Sequence, residues 1–227
     1  MVRAKLIWTA LAIAAASVPA AFGVGVYFGG GLAAYGETEI KTPDEILDGD
    51  MGTSWAVGGG LAIPVWWRGG AVAPMIDVMT DVNLSMIDKE FEEPYLYRQG
   101  VKIMAIPIRE SVIFGVGVGP STVVKPYIGF GGGVTIVKWK AYYTEWFEFP
   151  RNYYYDVKID SGTDVKLTFS IPFGCDFRLT PNFSLGPRAE YLIITGEVDG
   201  YDPWEGERFE ATVPNTFLFG ASARLDF

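Results

Sequence analysis

The sequence predicts an all-β fold: a transmembrane, antiparallel, up-and-down β-barrel of eight strands, with ten as the alternative. Three observations predict it. Segments of roughly ten residues alternate apolar and polar positions along nearly the whole chain, the period of a strand whose two faces meet different surroundings. Past residue 23 there is no apolar run of about eighteen residues from which a spanning helix could be made. The connections fall into two classes, short ones alternating with longer charged ones, as in a barrel with turns on one side of a membrane and loops on the other.

The opening residues, MVRAKLIWTALAIAAASVPAAFG, set Arg3 and Lys5 before an apolar stretch from Leu6 to Val18, followed by small residues. That is the layout of a secretory signal peptide. Residues 1–23 are therefore expected to be a leader, cut after Ala20 or after Gly23, and residues 24–227 the barrel domain. In the first barrel segment Val24, Val26, Phe28, Leu32 and Ala34 oppose Gly25, Tyr27, Gly29, Gly31 and Tyr35. In the second, Trp55, Val57, Leu61, Ile63, Val65 and Trp67 oppose Ser54, Gly58, Gly60 and Ala62. The third sets Val72, Ile76, Val78, Val82 and Leu84 against Asp77, Asp81, Asn83 and Ser85.

The fourth segment, YRQGVKIMAIPI, opposes Val101, Ile103 and Ala105 to Arg98 and Lys102. The stretch after it, RESVIFGVGVGPSTVV, is too long and apolar for an ordinary turn: it is either an irregular connector or a strand continued through Val112 to Val118. This is where eight and ten strands diverge. KPYIGFGGGVTIVKW places Ile128, Phe130, Val134 and Ile136 outward and Tyr127, Gly129, Gly131, Gly133 and Thr135 inward. DVKLTFSIPFGCDFRLT has the most regular alternation, with Val165, Leu167, Phe169, Ile171, Phe173, Cys175, Phe177 and Leu179 on one parity. A tight turn at Pro181-Asn182 leads to Phe183, Leu185, Ala189, Tyr191 and Ile193, opposite Ser184, Gly186, Arg188 and Glu190. The last segment, NTFLFGASARLDF, alternates to its end, with Leu218 the one exception.

Alternation alone leaves open which face meets lipid, because a soluble barrel of the lipocalin kind puts its apolar set inside. The polar parity here is dominated by Gly, Ser and Thr, whereas a water-facing exterior is more densely charged. Trp55, Trp66, Trp67, Tyr127, Trp139, Tyr142 and Tyr191 lie mostly toward segment ends, where interfacial girdles form. Both observations put the apolar face in lipid. The scattered inward charges, Asp77, Asp176, Arg178, Arg188, Glu190, Arg224 and Asp226, then form a mixed-sign network in the periplasmic half that closes the lumen. Eight strands leave an interior that side chains can fill.

The chain of 227 residues has a net charge of −9, which deepens to about −11 once Arg3 and Lys5 leave with the leader. It has no Lys/Arg stripe for nucleic acid. Three long connections are acidic: 37–50 and 197–210 each carry six acids to one base, and 88–93 carries four to one. The connection after the fifth segment is instead aromatic, with Tyr142, Tyr143, Trp146, Phe147, Phe149, Tyr153, Tyr154 and Tyr155.

The leader, the amphipathic segments, the KPYIGFGGG strand, the CDFRLTPNFSLGPRAEYLI hairpin and the closing ARLDF together resemble the small outer-membrane β-barrel proteins of the OmpA/OmpX type. The resemblance implies residence in the outer membrane after passage through the periplasm, in contact with outer-membrane lipid and lipopolysaccharide. It implies that Phe227, with Leu225 and Ala223 on its face, is the signal read by the barrel-assembly machinery. Enzymes of this architecture rely on an active-site histidine, and the chain has none, so no catalysis and no cofactor or metal is expected. Cys175, on the lipid parity, reads as a small apolar residue. The expected role is structural and surface-interacting, with host or surface ligands met through the acidic and aromatic loops. The alternative is a small porin-like channel or a conduit for hydrophobic solutes.

Overall fold

The computed structural model describes residues 23–41, 46–67, 72–92, 98–119, 123–147, 153–202 and 206–227. The leader lies outside the described residues. Ten strands follow in chain order: β1 (Gly25–Lys41), β2 (Ile46–Trp67), β3 (Val72–Glu92), β4 (Arg98–Val118), β5 (Val124–Phe147), β6 (Tyr153–Thr180), β7 (Phe183–Ile194), β8 (Glu197–Asp202), β9 (Glu207–Thr212) and β10 (Thr216–Asp226). Eight of them, β1 to β7 and β10, pair antiparallel with their neighbours, and β10 pairs back onto β1 to close the ring. β8 and β9 form a hairpin that joins the far end of β1 through Ile40↔Ala211 and Lys41↔Glu210. The ring is thus the eight-strand barrel; a total of ten is reached only with the β8–β9 appendage, and not through Val112 to Val118, the stretch on which a ten-strand barrel would have rested.

The seam is tight. Gly31 of β1 lies directly opposite Gly220 of β10, and a Cβ on either would fall inside van der Waals contact of backbone on the other strand, the Phe219 carbonyl in the case of Gly31. At the turn end the seam is tied by Phe227 N–H donating to Val24 O (3.0 Å), while on the other side of β10 Asp226 N–H donates to Asn182 O (3.0 Å) in the turn between β6 and β7. The stretch left open as connector or strand is strand: β4 runs unbroken to Val118, and the link to β5 is residues 119–123. Its alternating Val112, Phe114, Val116 and Val118 are all exposed on the outer surface. A β-bulge between Pro64 and Trp66 shifts the parity of β2, so that Trp66 carries on the outward set.

Strands β4, β5 and β6 are 21, 24 and 28 residues long, about two to three times what a bilayer requires of a tilted strand. The excess corrects the expectation of long loops. Residues 37–41 of β1 pair with 46–50 of β2, residues 88–92 of β3 with 98–102 of β4, and Tyr142 to Phe147 with Tyr153 to Lys158. Runs that look like loops by charge or aromatic content are the upper part of the wall. Apart from Phe149, which lies outside the described residues, the aromatic set belongs to two paired strands; the side chains of Tyr143, Trp146, Phe147, Tyr153, Tyr154 and Tyr155 lie outside the described part.

A reversal of polarity explains how the wall continues past the membrane. Along β5 the outward positions read Ile128, Phe130, Gly132, Val134, Ile136 and then Lys138 and Lys140, while the inward ones read Tyr127, Gly129, Gly131, Gly133, Thr135 and then Val137, Trp139 and Ala141. β4 reverses at the same level: Val101, Ile103 and Ala105 are buried inside and Lys102 is outside. The lower barrel is apolar outside and polar inside. The upper barrel is built like a soluble protein, apolar inside.

Candidate functional site

The interior is a stack of layers. Nearest the turn end, Arg224 of β10 donates from Nη1 to Asp77 of β3 (2.8 Å) and from Nε to Asp226 (2.6 Å). Lys125 of β5, nearly fully buried, stands opposite Asp176 of β6 in the ladder. Arg178 stays at the same end, where its backbone N–H donates to Val123 O (2.8 Å). Asp77, Asp176 and Asp226 balance Lys125, Arg178 and Arg224 in formal charge, so no net charge is left in a low-dielectric space.

Above Tyr27 a second layer is built on Arg109 of β4, 1% exposed. Its guanidinium grips Asp81 of β3 through both Nε (2.8 Å) and Nη2, and its Nη1 lies 2.7 Å from Glu190 Oε1, close as an ion pair though not aligned as a hydrogen bond. Arg188 of β7 completes the square, 2.6 Å from Asp81 and 3.2 Å from Glu190, with its guanidinium 4.8 Å over the Tyr27 ring. Two cations and two anions from three strands neutralise one another in the centre of the barrel.

The charges expected to form one network are therefore divided at Tyr27. Asp77, Asp176, Arg178, Arg224 and Asp226 stay near the turns, while Arg188 and Glu190 belong to the central square, not to the periplasmic end. The register of β7 places Arg188 and Glu190 farther up the barrel, because it pairs Arg188 with Gly220 and Glu190 with Leu218, in the middle of the last strand. Sequence reasoning missed Arg109, Asp81 and Lys125 as members. Asp81 was legible as an inward position; Arg109 fell in the stretch whose strand nature was undecided.

Hydroxyl pairs, Ser111 with Ser170 and Thr135 with Thr168, line the wall around the square. Then comes an apolar core of Ala33, Tyr35, Met51, Ile103, Val137 and Trp139, joined by Val198, Phe209 and Ala211 of the hairpin. Leu218, the exception to the last strand's alternation, packs against this core. Trp139 and Phe209 meet edge to face, ring centroids 5.7 Å apart at 81°, and Trp139 Nε1 donates to Asp164 (3.0 Å). The hairpin is fastened across the mouth by Lys41 to Glu197 (2.9 Å), by Lys166 Nζ donating to Glu197 O, and by Tyr201 N–H to Asp160 (2.9 Å). The space beside the lower ion pairs is about 20 Å³, lined by Tyr27, Met79, Ile113, Tyr127, Lys125 and Arg224. That is room for a water and not for a solute.

Among the described residues no three His, Cys, Asp or Glu side chains converge as a metal site. No protein-family model matches the chain, and no curated protein matches it. Among solved structures, a major outer membrane protein from Thermus thermophilus is similar, with 15% identity, a TM-score of 0.51, and coverage of 91% of this chain and 100% of that one. The fold is that of an outer-membrane β-barrel. The outer membrane protein OprG from Pseudomonas aeruginosa is also similar (12% identity, TM-score 0.45, 90% of this chain and 97% of that one), as is Neisserial surface protein A (12%, 0.42, 89% and 97%).

On this outer-membrane barrel Phe227 is 79% exposed and Leu225 faces out beside it, at the turn end of the apolar band. The band has one charged side chain among the described residues, Glu110, exposed between Thr80 and Gly132 on the neighbouring strands. Nothing in the structure explains it. Glu110→Leu is expected to raise stability by up to about 2 kcal/mol, read as a higher urea midpoint in lipid vesicles.

The hairpin fastening carries a pH dependence. The hydrogen bond to Glu197 raises the Lys41 pKa, and the same bond from Lys41 lowers that of Glu197. The pair therefore holds the hairpin fully between the ordinary carboxylate value of 4.5 and the ordinary lysine value of 10.5. Its contribution is lost as pH falls through the lowered carboxylate value, and again as pH rises through the raised lysine value. Hydrogen exchange in β8 and β9, corrected for intrinsic rate, is expected to quicken at pH 3 relative to pH 7 while the ring strands stay protected; Lys41→Met removes the difference.

Proposed function

We propose that this chain is an integral outer-membrane barrel with a closed lumen, which serves as a rigid post and works through the surface it carries beyond the membrane. The observation that carries this reading is the stack inside the ring: neutralised charge layers below, an apolar core above, and a hairpin fastened over the mouth. A conduit needs a continuous wetted path, and each of these layers interrupts one. The outward apolar band supports residence in a bilayer, and the likeness in fold supports the outer membrane as that bilayer. The assembly role of Phe227 and Leu225 rests on the family resemblance and belongs to the same reading.

The test is conductance. Purified protein inserted in planar bilayers is expected to give no steady unitary current between pH 5 and 8. Well-defined open levels would replace this reading with the channel. A separate fractionation, with the slower gel migration of boiled protein as the sign of a folded barrel, tests membrane residence itself.

A further inference from the structure

We propose that Lys102, Lys138, Lys140 and Lys158 form a lateral binding site for the phosphate groups of a phosphorylated lipid in the outer leaflet. The inference rests on the reading that the apolar band lies in a membrane.

On β5, Lys138 and Lys140 take the two outward places directly after Ile136, where the apolar band ends. On β4, Lys102 is the outward place next after Met104, and the ladder sets Lys102 opposite Lys140 and Met104 opposite Lys138. On β6 the outward run of Leu167 and Val165 gives way to Thr163 and Ser161, and Lys158 then stands opposite Tyr142. Lys138 and Lys158 are exposed, and Lys102 and Lys140 are half-buried. Three adjacent strands therefore bring four ammonium groups to one side of the barrel, at the height of a headgroup layer.

The protein is acidic, at −9 overall, and its buried arginines are committed to carboxylates inside. Against that overall balance, four lysines gather on one outer face. Like charges directly across a strand pair destabilise a sheet, yet Lys102 and Lys140 occupy such a pair. Their ammonium groups both lie over the Tyr142 ring, at 4.6 and 5.7 Å from its centroid. Tyr142 is itself buried, packed over the bare backbone of Gly100, so it holds the two lysine stems at a fixed place and splay. On β3 the ladder partner of Lys102 is Asp88, so the run of lysines ends at that strand. It extends the other way, over Lys138, Lys140 and Lys158.

Height decides the occupant. A soluble polyanion would be met at the tip of the molecule; these lysines point sideways, immediately above the last lipid-facing side chains. A lipid whose acyl chains lie along Ile136, Val165 and Leu167 brings its phosphates to them without leaving the bilayer, and lysines near a membrane surface draw anionic headgroups.

The test uses full-length folded protein in detergent micelles and native mass spectrometry. The probe is a bisphosphorylated acylated disaccharide lipid, compared with its dephosphorylated form. The wild-type protein is expected to retain the phosphorylated form about tenfold better, and Lys138→Ser/Lys140→Ser/Lys158→Ser to lose that preference. The arginine triple variant, Lys138→Arg/Lys140→Arg/Lys158→Arg, is expected to keep it. Heat-dependent gel migration shows that each variant is folded. Equal retention of both lipids by the wild type overturns the proposal, as does a serine variant that is folded and keeps the preference. Displacement of the lipid by a soluble sulfated oligosaccharide at equal phosphate and sulfate concentration would also overturn it, making the patch a polyanion site. Wild-type protein that fails to enter lipid vesicles at all would instead defeat the membrane reading beneath it.

Discussion

Gly31→Val is expected to prevent stable closure of the barrel. The new Cβ would be aimed at the Phe219 carbonyl, and its own neighbour across the seam, Gly220, has no side chain to move aside. Relief requires parting β1 from β10, the one pairing that joins the two ends of the barrel domain. The cost is set at the upper end of overpacking, about 3 kcal/mol or more. Gly30→Val supplies the control. Gly30 faces outward in the same glycine run, and there a Cβ would sit 3.4 Å from Ala56 O and Val57 Cγ1, which is ordinary contact. The first variant should lose the compact, heat-modifiable band on unboiled gels, and the second should keep it. Equal behaviour of the two would mean that the seam tolerates a side chain and that the glycines there are incidental.

Arg109→Met is expected to cost about 3–5 kcal/mol, because it removes one cation from the central square and leaves the buried Asp81 and Glu190 to share Arg188 alone. The cost should fall in Arg109→Met/Glu190→Gln, which leaves Arg188 and Asp81 as a neutral pair 2.6 Å apart. Urea unfolding in vesicles gives both values, and the difference between them is the coupling. If the single variant unfolded within about 0.5 kcal/mol of the wild type, the square would be solvated and the closed-lumen reading would weaken with it.

Much of the fold could be read from parity. The outward faces of β6, β7 and β10 follow the alternation of Val165 to Leu179, Phe183 to Ile193 and Phe217 to Phe227, since a residue in a strand has only two directions to face and lipid accepts only one kind of side chain. The upper half was hidden by the same rule. Val101 and Val112 are both apolar on β4, yet the first lies inside and the second outside, because above the membrane water takes the place of lipid and the apolar set must turn inward. Charge misled in a related way: Glu197 to Glu210 reads as a solvated loop, and the inward Val198, Phe209 and Ala211 are too few to show a period. Within the candidate site, Arg109 was the hardest to read. An arginine beside Glu110 in an apolar run looks like a turn, and only the partners Asp81 and Glu190, distant in sequence, show that it belongs to the centre.

The polarity reversal on β5 also has a metric meaning. From Val124 to Ile136 the outward places stay compatible with lipid, and at Lys138 they cease to be. Twelve steps of about 3.3 Å, tilted by about 40°, rise by roughly 30 Å. The strand thus carries a ruler for the bilayer it matches. Inserting or removing one pair of residues between Phe130 and Ile136 would preserve every facing while changing the ruled thickness, so that lipids of different chain length would discriminate between the variants by how readily each folds into them.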